Sequence, residues 1–407
     1  MKVFLRLALA LAFTAAAHAS TLPGFRVQKL GPVAGGEFLS GLVVDSKGAI
    51  DYTTTRGNVY RFTAEGSTLL AHVDTVGVGD SGLLGMALRD DRTAIVHYTT
   101  PNQTYDVISS IDLATGAESV LLALVADKDF PSRGSSSEHH GGNPIVAGDG
   151  TIYVGVGDYG GGWVASQPDW NGGKVWRIRP DGHASWYAQG FRNPFDLAYD
   201  PANDRLIVPD NGAAVDDEIN IVHEGDWCGW PFTMGNGPAV DGGTPPAYVF
   251  PVIVAPTGLV TLNAKEPLLR RGYLLATFVT KAIDYIPDID AKPIQPIAVM
   301  KGDAGMLVDV TQAASGEIYF ASGFAIYRLF VPQRGDCNGD GIVDARDLSA
   351  LEAELADAGG HELTLDAPNG AFAGSWGCDA NGDGVIDARD LAALRSMLGG
   401  RLRAVRH

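Results

Sequence analysis

The sequence predicts an all-β six-bladed β-propeller followed by a small all-α module, and three observations carry that prediction. Six segments repeat one pattern of apolar strand, polar turn and second apolar strand. The 407 residues include 52 glycines, the supply that many tight turns need. Beyond residue 332 the composition changes to two copies of an Asp/Asn/Gly-rich loop, each followed by a short helix with one leucine face.

The chain opens on an export signal. Lys2 and Arg6 precede the apolar run Leu7 to Ala17, and Ala17-His18-Ala19 offers small residues at both positions a signal peptidase reads. The run is well short of the ~20 apolar residues a bilayer requires. Residues 1–19 are therefore expected to be cleaved, giving a secreted, extracytoplasmic chain with no membrane span. The net charge of −18 becomes −20 once the positive charges of Lys2 and Arg6 are removed. That balance excludes nucleic acid and an anionic membrane as partners and suits bound cations.

The repeats follow between residues 22 and 332. They read SGLVVDSKGAIDYTTT from Ser40, LLGMALRDDRTAIVHYTT from Leu83, NPIVAGDGTIYVGVGD from Asn143, NPFDLAYDPANDRLIVPD from Asn193, GLVTLNAKEPLLRRGYLLATF from Gly258 and GMLVDVTQAASGEIYFASG from Gly305. NVYRF, KVWRI and AIYRL add third strands after three of them. A lone small sheet cannot bury both faces, so such units pack face to face around an axis, and six of them make a propeller. A β-sandwich with long insertions is the alternative that the recurrence disfavours.

The tail covers residues 335–399 and ends in a basic stretch, 400–407. Asp336, Asn338, Asp340, Asp344 and Asp347 stand at positions 1, 3, 5, 9 and 12 of an EF-hand-type loop; Gly341 makes the turn, and Ile342 lends a carbonyl at position 7. Asp379, Asn381, Asp383, Val385, Asp387 and Asp390 repeat the spacing. Hard oxygens at such intervals select Ca²⁺, so two calcium ions are expected here. Leu348, Leu351 and Leu355, and likewise Leu391, Leu394 and Leu398, share one face of the following helices. Cys337 and Cys378 fall beside corresponding ends of two loops that should lie side by side, in an oxidising compartment. They are expected to form a disulfide, leaving Cys228 an unpaired, buried thiol.

Within the propeller, Glu138-His139-His140-Gly141-Gly142 puts an acid beside imidazoles in a loop before a strand, with glycines that let a ligand approach the backbone. Together with GDSGLLGMAL, GKVWRIRPDG, GFRNPFDLAYDP and DNGAAVDDEINIVHEGDWCGWP, in that order, this stretch resembles the glucose/sorbosone dehydrogenase family. The resemblance implies an exported six-bladed propeller that oxidises an aldose sugar with pyrroloquinoline quinone (PQQ) and calcium. It makes His139 the general base, Glu138 the acid orienting it, Asp80 a polar residue near the sugar, and His140 a packing neighbour. Arg192, Asn193 and Lys281 are the implied cofactor contacts, and the Gly212 and Ala213 carbonyls the implied calcium ligands. Asp216, Asp217 and Glu218 hold a structural calcium, brace that loop, or form an ordinary solvated acidic turn. Met306 and Val308 depart from the family, which carries two cofactor-gripping arginines there; the rival reading is a carbohydrate-binding or interaction propeller without redox activity. The tail resembles a type I dockerin, which implies a cohesin-type scaffold partner. Its recognition positions 10 and 11 read Ala-Arg in both copies, Ala345-Arg346 and Ala388-Arg389.

Overall fold

The structure, a computed structural model, describes residues 20–404 apart from 22–24, 64, 79, 127–137, 239, 266–268, 270, 303, 332, 339–341, 357–376 and 383–385. The expected export segment and three of the expected calcium ligands, Asp340, Asp383 and Val385, lie outside the described residues.

Six antiparallel sheets follow one another along the chain; four add their strands outward in sequence order, while the fifth and sixth take their outermost strands, Ser20–Thr21 and Arg26–Pro32, from the start of the chain. Each of the six repeats supplies the first two strands of a blade: Leu39–Val44 with Ile50–Thr54, Leu83–Leu88 with Thr93–Thr99, Pro144–Val146 with Ile152–Val156, Ala198–Asp200 with Arg205–Asp210, Pro256–Thr261 with Tyr273–Thr277, and Leu307–Gln312 with Ile318–Ser322. The second strands of the first, third, fourth, fifth and sixth blades are buried at every residue, because neighbouring blades cover both faces. Outer strands are far more exposed, as in Glu118–Val125, where only Leu124 is buried.

The ring closes with residues from opposite ends of the repeat array. Arg26–Pro32 pairs with Ala325–Phe330 and so becomes the outer strand of the sixth blade, with Arg26 opposite Phe330. One apolar cluster spans this closure and the fifth blade, from Val27 and Leu329 through Phe320 and Val310 to Leu274 and Val299. Each such side chain removed from water contributes roughly 1.5–3 kcal/mol, so blade-to-blade burial holds the ring shut.

The axis is polar. Asp309 accepts the Leu42 and Val310 N–H groups, both at 2.7 Å, and Asp196 accepts those of Leu197 and Leu259 at 2.7 Å. Asn143 donates to Asp196 at 3.3 Å, and its carboxamide fills the space that a Cβ at Gly85 would occupy. The two carboxyls and Asn143 thereby tie five blades together: the first, third, fourth, fifth and sixth. Burial pushes both well above the usual carboxylate range, and for Asp309 the Asp196 charge adds to it.

In the tail, helix α1 (Ala345–Ala356) and helix α2 (Ala388–Ala404) bring Leu348, Leu351 and Leu355 against Leu391, Leu394 and Leu398. The expected leucine faces meet. Cys337 and Cys378 form a disulfide inside this small core, and Cys228 is the buried free cysteine.

Candidate active site

Antiparallel pairing puts the start of every inner strand and every turn between second and third strands at the same end of the propeller. His139 precedes Pro144–Val146, Arg192 and Asn193 precede Ala198–Asp200, and Asp80 precedes Leu83–Leu88. Gly212 and Ala213 lie between Arg205–Asp210 and Glu218–Val222, and Lys281 between Tyr273–Thr277 and Ala282–Ile286. The topology thus gathers all the expected propeller positions at one mouth.

Three of them are joined through hydrogen bonds. Nδ1–H of His139 donates to Asp158 Oδ1 at 2.6 Å, which fixes the tautomer and leaves Nε2 with the lone pair. Asp158 is buried, and it also accepts the Gly160 N–H at 2.8 Å and the Trp230 indole N–H at 2.8 Å. Its own N–H donates to the Arg192 carbonyl at 2.8 Å, while Tyr159 N–H reaches the His139 carbonyl at 3.2 Å. Asn193 Oδ1 accepts the Gly141 N–H at 3.0 Å, so this side chain holds the histidine loop in place. His139 sits at φ 57°, a left-handed backbone that a non-glycine residue adopts only when its surroundings dictate it.

The carboxylate that meets Nδ1 of His139 is Asp158, which the sequence reading had not singled out; Glu138, next in sequence, is exposed. The loop after Ile152–Val156 brings Asp158 to the imidazole. One expectation changes: Gly141 and Gly142 do not clear space for a ligand. A Cβ at Gly141 would overlap the Gly155 carbonyl and one at Gly142 the Phe195 carbonyl, so these glycines let two neighbouring strands close on the loop. His140 is a buried neighbour as expected, with Nδ1 at 2.9 Å from Asp106.

Arg192 is half-buried, and a guanidinium N–H donates to the Asn211 carbonyl at 3.0 Å. The Arg192 and Asn193 N–H groups grip the two oxygens of Asp210 at 2.9 and 2.7 Å. Burial first, and the nearby Glu218 charge second, push the Asp210 carboxyl well up. Asp217 braces the Gly212 loop: it accepts N–H groups from Gly212, Val254 and Ala255, each at 2.7 Å. Glu218 accepts the Gly235 N–H at 2.6 Å and the Asn220 amide at 3.0 Å. Asp216 and Gly212 are half-buried; Ala213, Lys281 and Asp80 are exposed.

The two departures differ from each other. Met306 is 41% exposed at the mouth, but Val308 is 2% exposed and packs with Leu39, Leu42, Tyr52 and Ala321. Val308 is the bulged residue between Leu307 and Asp309, and the bulge turns it into the core between the sixth and first blades. Arg56, absent from the sequence reading, is exposed on the equivalent turn of the first blade and adds a cation to the mouth. Arg192, Lys281 and Arg56 thus supply cationic side chains at this end of the propeller, a set that suits an anionic ligand.

Sequence reasoning also passed over Trp230 and Lys174. Lys174 is fully buried, and its ammonium donates to the carbonyls of Val164 (3.4 Å), Gln167 (2.8 Å) and Gly172 (3.2 Å). It thus gathers the loop that follows Asp158. Desolvation lowers its pKa to about 8. The signal for Trp230 was present in GDWCGWP; the long connection from Glu218–Val222 climbs beside Ala184–Gln189, with Cys228 N–H on the Gln189 carbonyl at 2.8 Å and Trp230 N–H on that of Gly190 at 3.1 Å. That path delivers its indole to the site end.

The profile of the glucose/sorbosone dehydrogenase family matches residues 41–324. The chain belongs to that family. The type I dockerin domain profile matches residues 334–399. Among curated proteins, the quinoprotein glucose dehydrogenase B of Acinetobacter calcoaceticus is 28% identical over 176 residues, 36% of this chain and only 33% of that protein. Among solved structures, the PQQ-bound aldose sugar dehydrogenase of Streptomyces coelicolor superposes with a TM-score of 0.63 at 21% identity, over 76% of this chain and 100% of that one. The apo-form soluble aldose sugar dehydrogenase of Escherichia coli gives 0.64 at 18% identity, over 75% and 99%. At such identities these structures establish the shared propeller fold.

In the dockerin region the two loops are built alike. Asp347 accepts the N–H groups of Asn338 (3.1 Å) and Asp344 (2.7 Å); Asp390 accepts those of Asn381 (3.0 Å) and Asp387 (2.8 Å). The carboxylates at positions 1 and 12, Asp336 with Asp347 and Asp379 with Asp390, are buried in both copies, while the Ile342 side chain is exposed. An all-oxygen set with inward carboxylates fits Ca²⁺. Among the described residues no three acidic, histidine or cysteine side chains form a complete cage; Asp340 and Asp383, at position 5 of the two loops, lie outside them. Arg346 and Arg389 each fold onto the position 9 carboxylate, with Nε at 3.2 Å from Asp344 and 3.1 Å from Asp387.

Proposed function

We propose that this chain is an exported, quinone-dependent oxidoreductase that oxidises an aldose at its anomeric carbon and attaches to a cohesin-type partner through its calcium-loaded dockerin region. The observation that carries the reading is the chain Trp230–Asp158–His139, which orients an imidazole at the mouth of the funnel and backs it with a buried carboxylate. His139 Nε2 takes the proton of the anomeric hydroxyl. Asp158 stabilises the imidazolium that results, without itself needing to be protonated. PQQ held by Arg192, Asn193, Lys281 and Arg56, with a calcium ion on the Gly212 and Ala213 carbonyls, would supply the two-electron acceptor for the C1 hydride, so that the sugar leaves as its lactone. The permanent charge of Arg192 favours binding of an anionic group beside the base.

Purified protein with calcium and PQQ should reduce a dye when offered the right aldose. His139→Ala should lower that rate by ~10²–10⁴-fold with the fold retained, because a general base contributes that much. Unchanged turnover in this variant removes His139 from the mechanism. Exposed Met306 and buried Val308 favour the second reading, a carbohydrate-binding propeller without redox activity; sugar binding without dye reduction at saturating PQQ would decide for it.

A further inference from the structure

Next to the histidine stands an aromatic surface that the proposed chemistry does not use. Trp163 is 57% and Phe232 58% exposed, with ring centroids 6.2 Å apart at 72°, and Phe232 lies 6.2 Å from Trp227 on its other side. Large aromatics left in water forgo the gain of burial, so a paired set of them at the site end calls for an occupant.

Both rings stand on fixed backbone. Trp163 rides a single 3₁₀ turn, Gly162–Ser166, anchored by buried Val164 and Ala165 and by the Lys174 ammonium on the Val164 carbonyl. Phe232 is held by its N–H on the Gly229 carbonyl at 2.8 Å. The two segments interlock, since a Cβ at Gly162 would press on Pro231 and on the Trp230 indole. Trp230 in turn donates to Asp158, the partner of His139. The exposed rings are therefore linked to the base through Trp230 and Asp158.

We infer that Trp163 and Phe232 form a second sugar subsite, which stacks the pyranose ring next to the one at His139, so that the substrate class is a reducing oligosaccharide. This rests on the aldose reading for the ring at His139. A pyranose fits because its C–H face packs on an aromatic plane while its hydroxyls stay in water. The angular, T-shaped pair offers one ring as a platform and the other as a wall. The two contact faces are apolar, which suits an uncharged ring.

The test uses the full chain with calcium and measures binding of glucose and of α-1,4 and β-1,4 gluco-oligosaccharides of two to four rings by calorimetry, without quinone. Dye reduction with PQQ is run in parallel. Affinity should rise from one ring to two; Trp163→Ala and Phe232→Ala should each weaken the disaccharide about ten-fold while leaving glucose unchanged, and Trp163→Phe should keep most of the gain. Length-dependent binding lost in Trp163→Ala, with no dye reduction by any aldose, would uphold the subsite and sink the redox reading. Dye reduction that is indifferent to chain length and to both variants would do the reverse. Equal weakening of glucose and disaccharide would also overturn the subsite, by making Trp163 a prop for the His139 pocket.

Discussion

The propeller and the dockerin region each gather loop oxygens around a cation, and they do it by opposite means. In the propeller the cation is built in: the Lys174 ammonium collects three carbonyls beneath the loop that carries Asp158 and Trp163. In the tail the proposed cation is borrowed: acidic and amide oxygens within twelve consecutive residues have the spacing that suits Ca²⁺. A borrowed ion demands ligands at fixed local spacing, whereas a built-in one needs only a fold that brings distant segments together. That difference decides how each site responds to substitution.

The largest effect separates two residues that motif matching treats alike. Val308→Arg puts a charge into a core position 2% exposed, which costs several kcal/mol and should leave no cooperative thermal transition. Met306→Arg, at 41% exposure, should leave the melting temperature within ~2 °C and tighten PQQ about ten-fold by titration, as one added charge-assisted contact would. A folded, tighter-binding Val308→Arg would show that the strand turns outward after all.

Next in size is the tail staple. Its core is a handful of leucines around a disulfide that joins residues 41 apart, and closing a loop of that length is worth roughly 4 kcal/mol in the chain-entropy model. Replacing Cys337 and Cys378 together by Ala should melt α1 and α2 at low urea in the absence of calcium, and added calcium should restore them. The propeller transition should not move; a shift of both transitions together would mean the two regions share their stability.

A smaller effect tests whether spatial neighbours outrank sequence neighbours at the propeller mouth. Asp158→Asn should cut dye reduction by ~10²-fold or more, because an amide can present its N–H to Nδ1 and favour the wrong tautomer. Glu138→Gln, one residue from the histidine, should stay within about two-fold. The reverse ranking would return the orienting role to Glu138.

The same contrast explains what was legible beforehand. Strand pairs such as Leu83–Leu88 with Thr93–Thr99 announce themselves because alternation and turn residues are local, and the calcium loops do so for the same reason. His139, Arg192 and Asn193 were found through a resemblance, and the topology gathered them. Asp158 was missed because its role depends on the turn between two strands passing under a loop from earlier in the chain. The Arg26–Pro32 closure strand and the Asp196–Asp309 axis were hidden likewise, since their partners lie around the ring rather than along the sequence. The burial of Val308 was not legible either, because a one-residue bulge, invisible to spacing, sets which face its side chain takes.

The built-in cation should also reveal itself through pH. Burial lowers Lys174 from 10.5 to about 8, so between those values the unfolded chain holds a proton that the folded chain has released. Stability rises with pH wherever the unfolded state binds more protons. Below about pH 8 both states carry the charge and Lys174 adds no slope; from 8 to 10.5 its contribution grows as the cost of burying a charge is removed. The neutral amine still donates to Gln167 and Gly172, so the loop keeps its shape. In Lys174→Met the carbonyls lose their donor and this slope disappears. The difference in melting temperature between wild type and Lys174→Met should therefore be constant from pH 6 to 8 and widen toward pH 10, and taking the difference cancels the other groups that titrate there. Calcium chelation across the same range should leave that difference untouched, since the carbonyls that Lys174 gathers, those of Val164, Gln167 and Gly172, are none of the proposed calcium ligands. A difference that stays flat to pH 10 would mean that the lysine is solvated in solution and that the loop bearing Trp163 is held by packing alone.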